Sequence, residues 1–377
     1  MKFFQRLTKK PNGDNTAEEK RYLASQWQLM RRKFRKHKLA QIAMCILFFL
    51  YFCVIFCEFL APYALNSRHI RYVYAPPQKI HFFDEDGFRF RPFVYGMKYT
   101  RNPETWRKIY TEDKSKRYDI QLFSRGDSYS MWGLFKMNIH LFGVDKKGTI
   151  FLLGTDRMGR DMLSRILYGA RISLTIGLVG VFLSTCLGIL FGSLSGYLGG
   201  NVDMFIERTI EILRSFPLIP LWLALSAAIP SHWNPIYVYF CITIILSLIS
   251  WTSMARVIRG RILSLREEDY IMAARLSGCS SWQIIRCHLA PGCLSYILVA
   301  GTLALPRMIL GETALSFLGL GLRPPITSWG VLLNEAQNVS VIANCPWLLI
   351  PGLFIIVAVL AFNLLGDGLR DAADPYK

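Results

Sequence analysis

The chain is poor in acid, poor in histidine and empty of the motifs that would let it do chemistry alone. Only 26 Asp and Glu stand against 44 Lys and Arg, for a net charge of +18. The histidines (37, 69, 81, 140, 232 and 288) are scattered and H-E-x-x-H is absent, so a zinc hydrolase is not indicated. No acid pair converges within an apolar stretch, which disfavours a membrane enzyme. There is no G-x-x-x-x-G-K-[ST] loop, so this chain has no phosphate cradle of that kind. None of the nine cysteines lies in 62–170 and none has zinc-site spacing, so neither a disulfide scaffold nor a metal site is expected. Long stretches also lack charge altogether, which excludes intrinsic disorder and argues against an ordinary soluble enzyme.

What fills those stretches is apolar side chain, 52% of all residues. Residues 39–57 are charge-free and span about 28 Å as a helix, close to one hydrocarbon core. The run is too long for a signal peptide and does not end in small residues, so an uncleaved first span (39–61) is expected. Further spans are placed at 172–197, 206–229, 236–256, 293–315 and 346–366. The third and fourth are separated by the turn chemistry of Pro230-Ser-His-Trp-Asn-Pro235. In lipid the backbone must satisfy its own hydrogen bonds, so all six are helices. The expected fold class is an all-α polytopic membrane protein.

Residues 1–38 carry 12 basic and 3 acidic residues, and 257–292 carries Arg259, Arg261, Arg266, Arg275 and Arg286. Both should be cytoplasmic, which puts both termini inside. The same charge makes anionic lipid, rather than nucleic acid, the natural partner of the basic head. In that head Thr16 and Glu19 form a capping box, and Leu23, Trp27, Met30 and Phe34 recur at helical spacing.

Residues 62–154 have no spanning run and form an extracytoplasmic insert. Its 19 basic and 11 acidic residues, counted over 62–170, do not oppose this placement, because long segments translocate despite charge. Two hairpins are expected. One joins Lys79–Phe83 to Phe88–Tyr95 through Gly87. The other joins Asn138–Val144 to Thr149–Leu153 through Gly148. A small β-containing lobe follows from them. An interfacial helix over 155–170 then leads into the second span, capped by Thr155 or Asp156, with Asp156–Arg160 and Asp161–Arg165 as i,i+4 pairs.

Gly180, Ser184, Gly188, Gly192, Gly196 and Gly200 stand four residues apart. On a helix they share one face and admit a neighbour's backbone. Between spans four and five, Ser264 and Glu267 form one capping box and Ser280 and Gln283 another. Gly278 lies where a left-handed residue would end the first helix, and Pro291 would end the second. Two short cytoplasmic helices result, with Ala273-Ala274 as a smooth patch for another protein.

Met272-Ala-Ala-Arg-Leu-Ser-Gly278, nine residues and then His288-Leu-Ala-Pro291 resembles the E-A-A loop of ATP-binding-cassette importer permeases. The spacing matches throughout. Met272, His288 and Ala290 depart from that loop's Glu, Ile and Leu. Three further stretches are similar to the C-type subunit of dipeptide and oligopeptide permeases. They are Leu153 to Leu174, Glu312-Thr-Ala-Leu-Ser-Phe-Leu-Gly-Leu-Gly321 with Ser328-Trp329-Gly330, and Asn363 to Pro375. The resemblance covers about 150–377. The insert is longer than in plain members and more like the microcin C type relatives.

This resemblance implies a permease subunit of a bacterial inner-membrane importer for peptides or peptide-like solutes. Tyr270, Ala273, Ala274, Arg275, Gly278 and Pro291 would belong to the segment seated on a cytoplasmic ATPase. It further implies a second permease subunit, two ATPase domains holding ATP and Mg, and an extracytoplasmic solute-binding protein, with no cofactor on this chain. Arg307 and Glu312 are either part of the translocation path or gate, or interfacial charges that pair or snorkel; the second reading is favoured. Glu58 is expected at the interface. The rival class is a secondary transporter, which would carry repeat symmetry and midplane ion-coupling charges. Neither is visible.

Overall fold

A computed structural model describes residues 26–84, 87–101, 103, 108–145, 148–230 and 232–373. The Thr16–Glu19 capping box and Leu23 lie outside the described residues. Helix α1 (Gln26–Phe34) carries Arg31, Arg32 and Lys33 in its last turn. It is followed by α2 (Lys38–Ile55), whose first turn is capped by the His37 ring accepting from the Ala40 amide. A short turn, Cys57–Leu60, carries Glu58.

Among the described residues, the insert has five strands: β1 (His81–Asp84), β2 (Gly87–Arg101), β3 (Lys108–Asp119), β4 (Gln121–Met131) and β5 (Phe135–Gly143). β1, β2 and β3 form one antiparallel sheet, and β4 and β5 a second. The first expected hairpin is present, with Gly87 at φ +110° in its turn. The second is not. β5 pairs backwards with β4, and 149–153 is not a strand. The turn that decides this is Trp132-Gly133, with φ of +53° and +74°.

Helix α3 (Met162–Leu198) runs for 37 residues, or about 55 Å. The expected boundary between an interfacial helix over 155–170 and a span starting at 172 does not exist. Nothing at 170–172 breaks a helix, so the apolar face that begins at Met162 simply continues. The cap is neither Thr155 nor Asp156 but Asp161, which accepts from Ser164 N and Oγ, each at 2.7 Å.

The expected third span over 206–229 is likewise not one helix. α4 (Gly200–Ser215) and α5 (Leu218–Ala227) meet at an 86° bend. Pro217 causes it: the residue before a proline is pushed to extended backbone, and Phe216 sits at φ −85°, ψ 140°. α6 (Pro235–Leu265) starts on Asn234, whose side chain accepts from Ile236 N, with Pro235 in the first turn. α7 (Asp269–Leu276), α8 (Leu294–Phe317) and α9 (Ile350–Ala373) complete the bundle.

Among the described residues, five helices are long and apolar enough to cross a membrane, or six if the bent pair counts as one. The main core gathers Leu174, Leu246, Ile309, Ala358 and Phe362, among others, from α3, α6, α8 and α9, and Trp329 from the short helix Trp329–Asn334. α2 docks on α9 closely enough that a Cβ on Gly368 would lie on that of Ala40.

Candidate coupling loop and permease core

α7 begins at Asp269 with Glu268 as its N-cap, not at a Ser264–Glu267 box, because α6 is still helical through Leu265. Ile271 is fully buried and anchors α7 to Ile262, Leu265, Ile284, Ile285 and Leu289. The opposite face is open. Tyr270, Met272 and Leu276 are 47%, 45% and 90% exposed, and Trp282 beyond the turn is 56% exposed. Ala273 is exposed and Ala274 half-buried. Arg275 donates to the Tyr197 hydroxyl at 3.2 Å and lies over that ring. Thus the loop rests on the end of α3.

Gly278 adopts φ +81°, and its N–H bonds to the Arg275 carbonyl at 3.0 Å. The left-handed residue ends α7 as a C′ glycine does. Ser280 and Gln283 form a complete capping box. Pro291, however, ends nothing. A π-turn over Ile285–Leu289 shifts the hydrogen-bond register, Cys293 N–H reaches Leu289 O and Ala290 O, and helix continues into α8.

The small-residue stripe faces α6. A Cβ on Gly188 would come within 2.6 Å of Met254 Cβ, and one on Gly196 within 3.0 Å of the Arg259 carbonyl. Gly180 O accepts from Ser247 Oγ at 3.1 Å, while the buried Ser184 bonds within its own helix. Gly200 does not belong to the stripe. α3 stops at Leu198, and Gly199 and Gly200, at φ +68° and +54°, turn the chain into α4. That corner is bolted by Asp203, which accepts from Arg259 Nε and Nη2 at 2.6 and 2.7 Å and from Ser195 Oγ.

Arg307 and Glu312 part company. Arg307 is exposed and lines a cavity of about 600 Å³ together with Ser184, Arg214, Trp222 and Ser250. Glu312 does not line it and does not snorkel. It is fully buried and accepts from Ser173 (3.1 Å), Ser316 and Ser328 (both 2.7 Å). Ser173 also accepts from Trp329 N, so one carboxylate ties α3, α8 and the Ser328 cap together.

A second buried network precedes α3. Asp156 accepts from Arg160 Nε at 2.6 Å and from Arg165, which also reaches Glu335 at 3.2 Å. The expected Asp161–Arg165 pair is therefore replaced, because Asp161 is engaged as the cap. Burial raises the Asp161 carboxyl to about 7, against the lowering effect of its Ser164 hydrogen bonds. Glu58 is buried and gripped by both terminal nitrogens of Arg171 at 2.6 Å. Burial alone would raise it, but those bonds outweigh burial and hold it below the usual carboxylate range. Ser173, Ser328, Glu335 and the Asp203–Arg259 pair are not legible from spacing, since their partners lie 16 to 170 residues away. Ser316 alone could have been flagged, since it lies four residues after Glu312 on the same helix.

Residues 188–376, which include all of this loop, match the family of the binding-protein-dependent transport system inner membrane component. This chain belongs to that family. It is a multi-pass inner-membrane component of such a system, and its residues 25–77 also match the N-terminal TM domain of oligopeptide transport permease C. The oligopeptide transport system permease protein OppC of Haemophilus influenzae is 41% identical over 59% of this chain and 69% of its own length. The dipeptide transport system permease protein DppC of Bacillus subtilis is 37% identical over 59% of this chain and 68% of its own. The glutathione transport system permease protein GsiD of Pectobacterium atrosepticum is 42% identical over 59% and 72%. Membership of this transport family does not favour the secondary-transporter alternative.

Proposed function

We propose that this inner-membrane component is half of the translocation path of an ATP-driven importer for peptides or peptide-like solutes. The similar proteins named for oligopeptide, dipeptide and glutathione transport support that cargo class. Six spans, counting α4 and α5 as one, put the basic head and the loop over 257–292 in the cytoplasm and the insert outside. A second permease subunit completes the path, two cytoplasmic ATPase domains supply ATP and Mg chemistry, and a solute-binding protein delivers cargo from outside. This chain carries no cofactor of its own.

The observation that carries the reading is the open face of α7. Leu276 is 90% exposed while Ile271, on the opposite face, is fully buried. A rigid helix so anchored, with apolar side chains presented outward, is suited to a cleft in another protein. Movement of that protein would reach α3 through Arg275–Tyr197 and α8 through the helical run from Ser281 onward.

The test is isolation of the intact assembly in mild detergent, followed by reconstitution with the solute-binding protein. An ATPase should coelute, and Leu276→Asp should release it without lowering the amount of membrane-inserted chain. Uptake into liposomes by this chain without ATP would overturn the proposal.

A further inference from the structure

The hairpin of β4 and β5 runs back along the chain toward the end of α2. His140 on β5 bonds the Ala61 carbonyl at 2.5 Å. At the hairpin tip, Trp132 Nε1 donates to the Ile55 carbonyl at 2.8 Å. Ile55 is the last residue of α2, six positions nearer the membrane than Ala61. The hairpin therefore descends beside the chain as it leaves the span, and its tip reaches the depth at which the apolar helix ends. Rings hold it there: Trp132 packs on Phe56, and Phe123 on Phe59.

The outward side of this tip is apolar and open. Leu134 is 75% exposed and Phe135 59%, with Leu122 and Phe123 at 71% and 65% higher on β4. The tip abuts the end of α2 at Ile55, and the open side of that helix is apolar too: Phe48, Phe49 and Ile55 are 75%, 63% and 48% exposed. Between 128 and 144 the sequence holds no acid, and its one Lys or Arg is Lys136. The Trp132 backbone sits at φ +53°, a region that bulky L residues rarely adopt. The turn thus places an indole at the end of a span, where an amphipathic ring is most at home.

We infer that the β4–β5 hairpin is a membrane anchor of the insert, with the Trp132–Phe135 tip seated in the lipid headgroup–acyl boundary at the C-terminal end of α2. The inference rests on reading α2 as a span and is independent of cargo and ATPase. Lipid is favoured over a protein occupant because the patch prolongs a surface that already faces acyl chains. Its consequence is mechanical: the insert is held against the bilayer at a second point besides its covalent connections.

The test places the photoreactive residue p-benzoylphenylalanine at Leu134, Phe48 or Phe90 of the full chain in native membranes. Phe90 lies on β2 and is 93% exposed. Leu134 should give phospholipid adducts in a yield like that of Phe48 and well above that of Phe90. A protein adduct at Leu134, or none, while Phe48 labels lipid would overturn the anchor alone. No lipid adduct at Phe48 would overturn the span reading and the anchor with it. As a second measurement, bilayers of brominated lipid should quench more tryptophan emission in the unmodified chain than in Trp132→Phe. Equal quenching would overturn the inference.

Discussion

Gly192 and the Ala255 carbonyl are in contact across the α3–α6 seam: a Cβ on Gly192 would stand 2.6 Å from that oxygen and 3.0 Å from the Ala255 Cα. The obstacle is backbone, which cannot rotate aside. Gly192→Ala should therefore push the helices apart and destabilise the protein by about 1–3 kcal/mol. Gly260→Ala is the matched control. No atom lies within 4 Å of its Cβ position, so it should be neutral or gain up to about 1 kcal/mol of helix propensity. Thermal midpoints of the two variants in detergent should move in opposite directions or differ by several degrees.

Glu312 supports a different prediction, because its role is to accept. Glu312→Ala would leave the buried hydroxyls of Ser173, Ser316 and Ser328 without their acceptor, at about 1–3 kcal/mol for each group that finds no substitute. Glu312→Gln retains one oxygen and should fall between. The expected order of thermal midpoints is unmodified, Gln, Ala. Trp329, whose amide is tied to Ser173, should show a shifted emission maximum in the Ala variant.

Asp161 makes stability depend on pH. Its folded carboxyl is raised from the model-compound 3.8 to about 7, with burial as the largest cause. Between those values the folded chain holds a proton that the unfolded chain has released. Stability from this group is therefore full at the acid end, declines as pH rises toward about 7, and is flat above it, with a slope of at most about 1.4 kcal/mol per pH unit. Asp161→Asn keeps an oxygen for the helix cap and removes the titration. The expected result is a flatter stability profile between pH 4 and 7 for the variant than for the unmodified chain, measured by denaturant unfolding.

Much of the bundle was legible because lipid leaves so few options. An apolar run of membrane length must be helix, and Lys38–Ile55, Pro235–Leu265 and, despite Arg307 and Glu312, Leu294–Phe317 lie where such runs predict. The failures have local causes. Pro217 carried the signal for the 86° bend, but the apolar run around it concealed the break. Pro291 signals a stop in the sequence because a proline usually costs a helix its hydrogen bond, and the π-turn before it makes that loss tolerable here. The sequence points β5 to the wrong partner because Asp145–Gly148 is a strong turn signal, whereas Trp132-Gly133 announces itself only through its glycine. In the loop, Gly278 and the Ser280–Gln283 box could be read from spacing alone. The serine cage of Glu312 could not, since Ser173 lies 139 residues away.

The last prediction separates folding from coupling. Gly278 holds φ +81° with no atom near its Cβ position, so the site tolerates volume but not a normal backbone. Gly278→Ala should lose roughly 1–2 kcal/mol from the left-handed residue, whereas Gly278→Pro fixes φ near −65° and also deletes the N–H bonded to Arg275 O. Ile271 remains buried in either case, so α7 keeps its anchor while the turn that sets its angle is lost. Both variants should insert in the membrane at unmodified levels. Solute-stimulated ATP hydrolysis by the assembly should fall partly with Ala and to the basal level with Pro, as should uptake. A large residue at Ala274, which is half-buried against the Ile271 cluster, should mimic the proline variant. If stimulated hydrolysis and uptake in Gly278→Pro equalled those of the unmodified chain, the angle of α7 would have no part in transmitting the ATPase stroke.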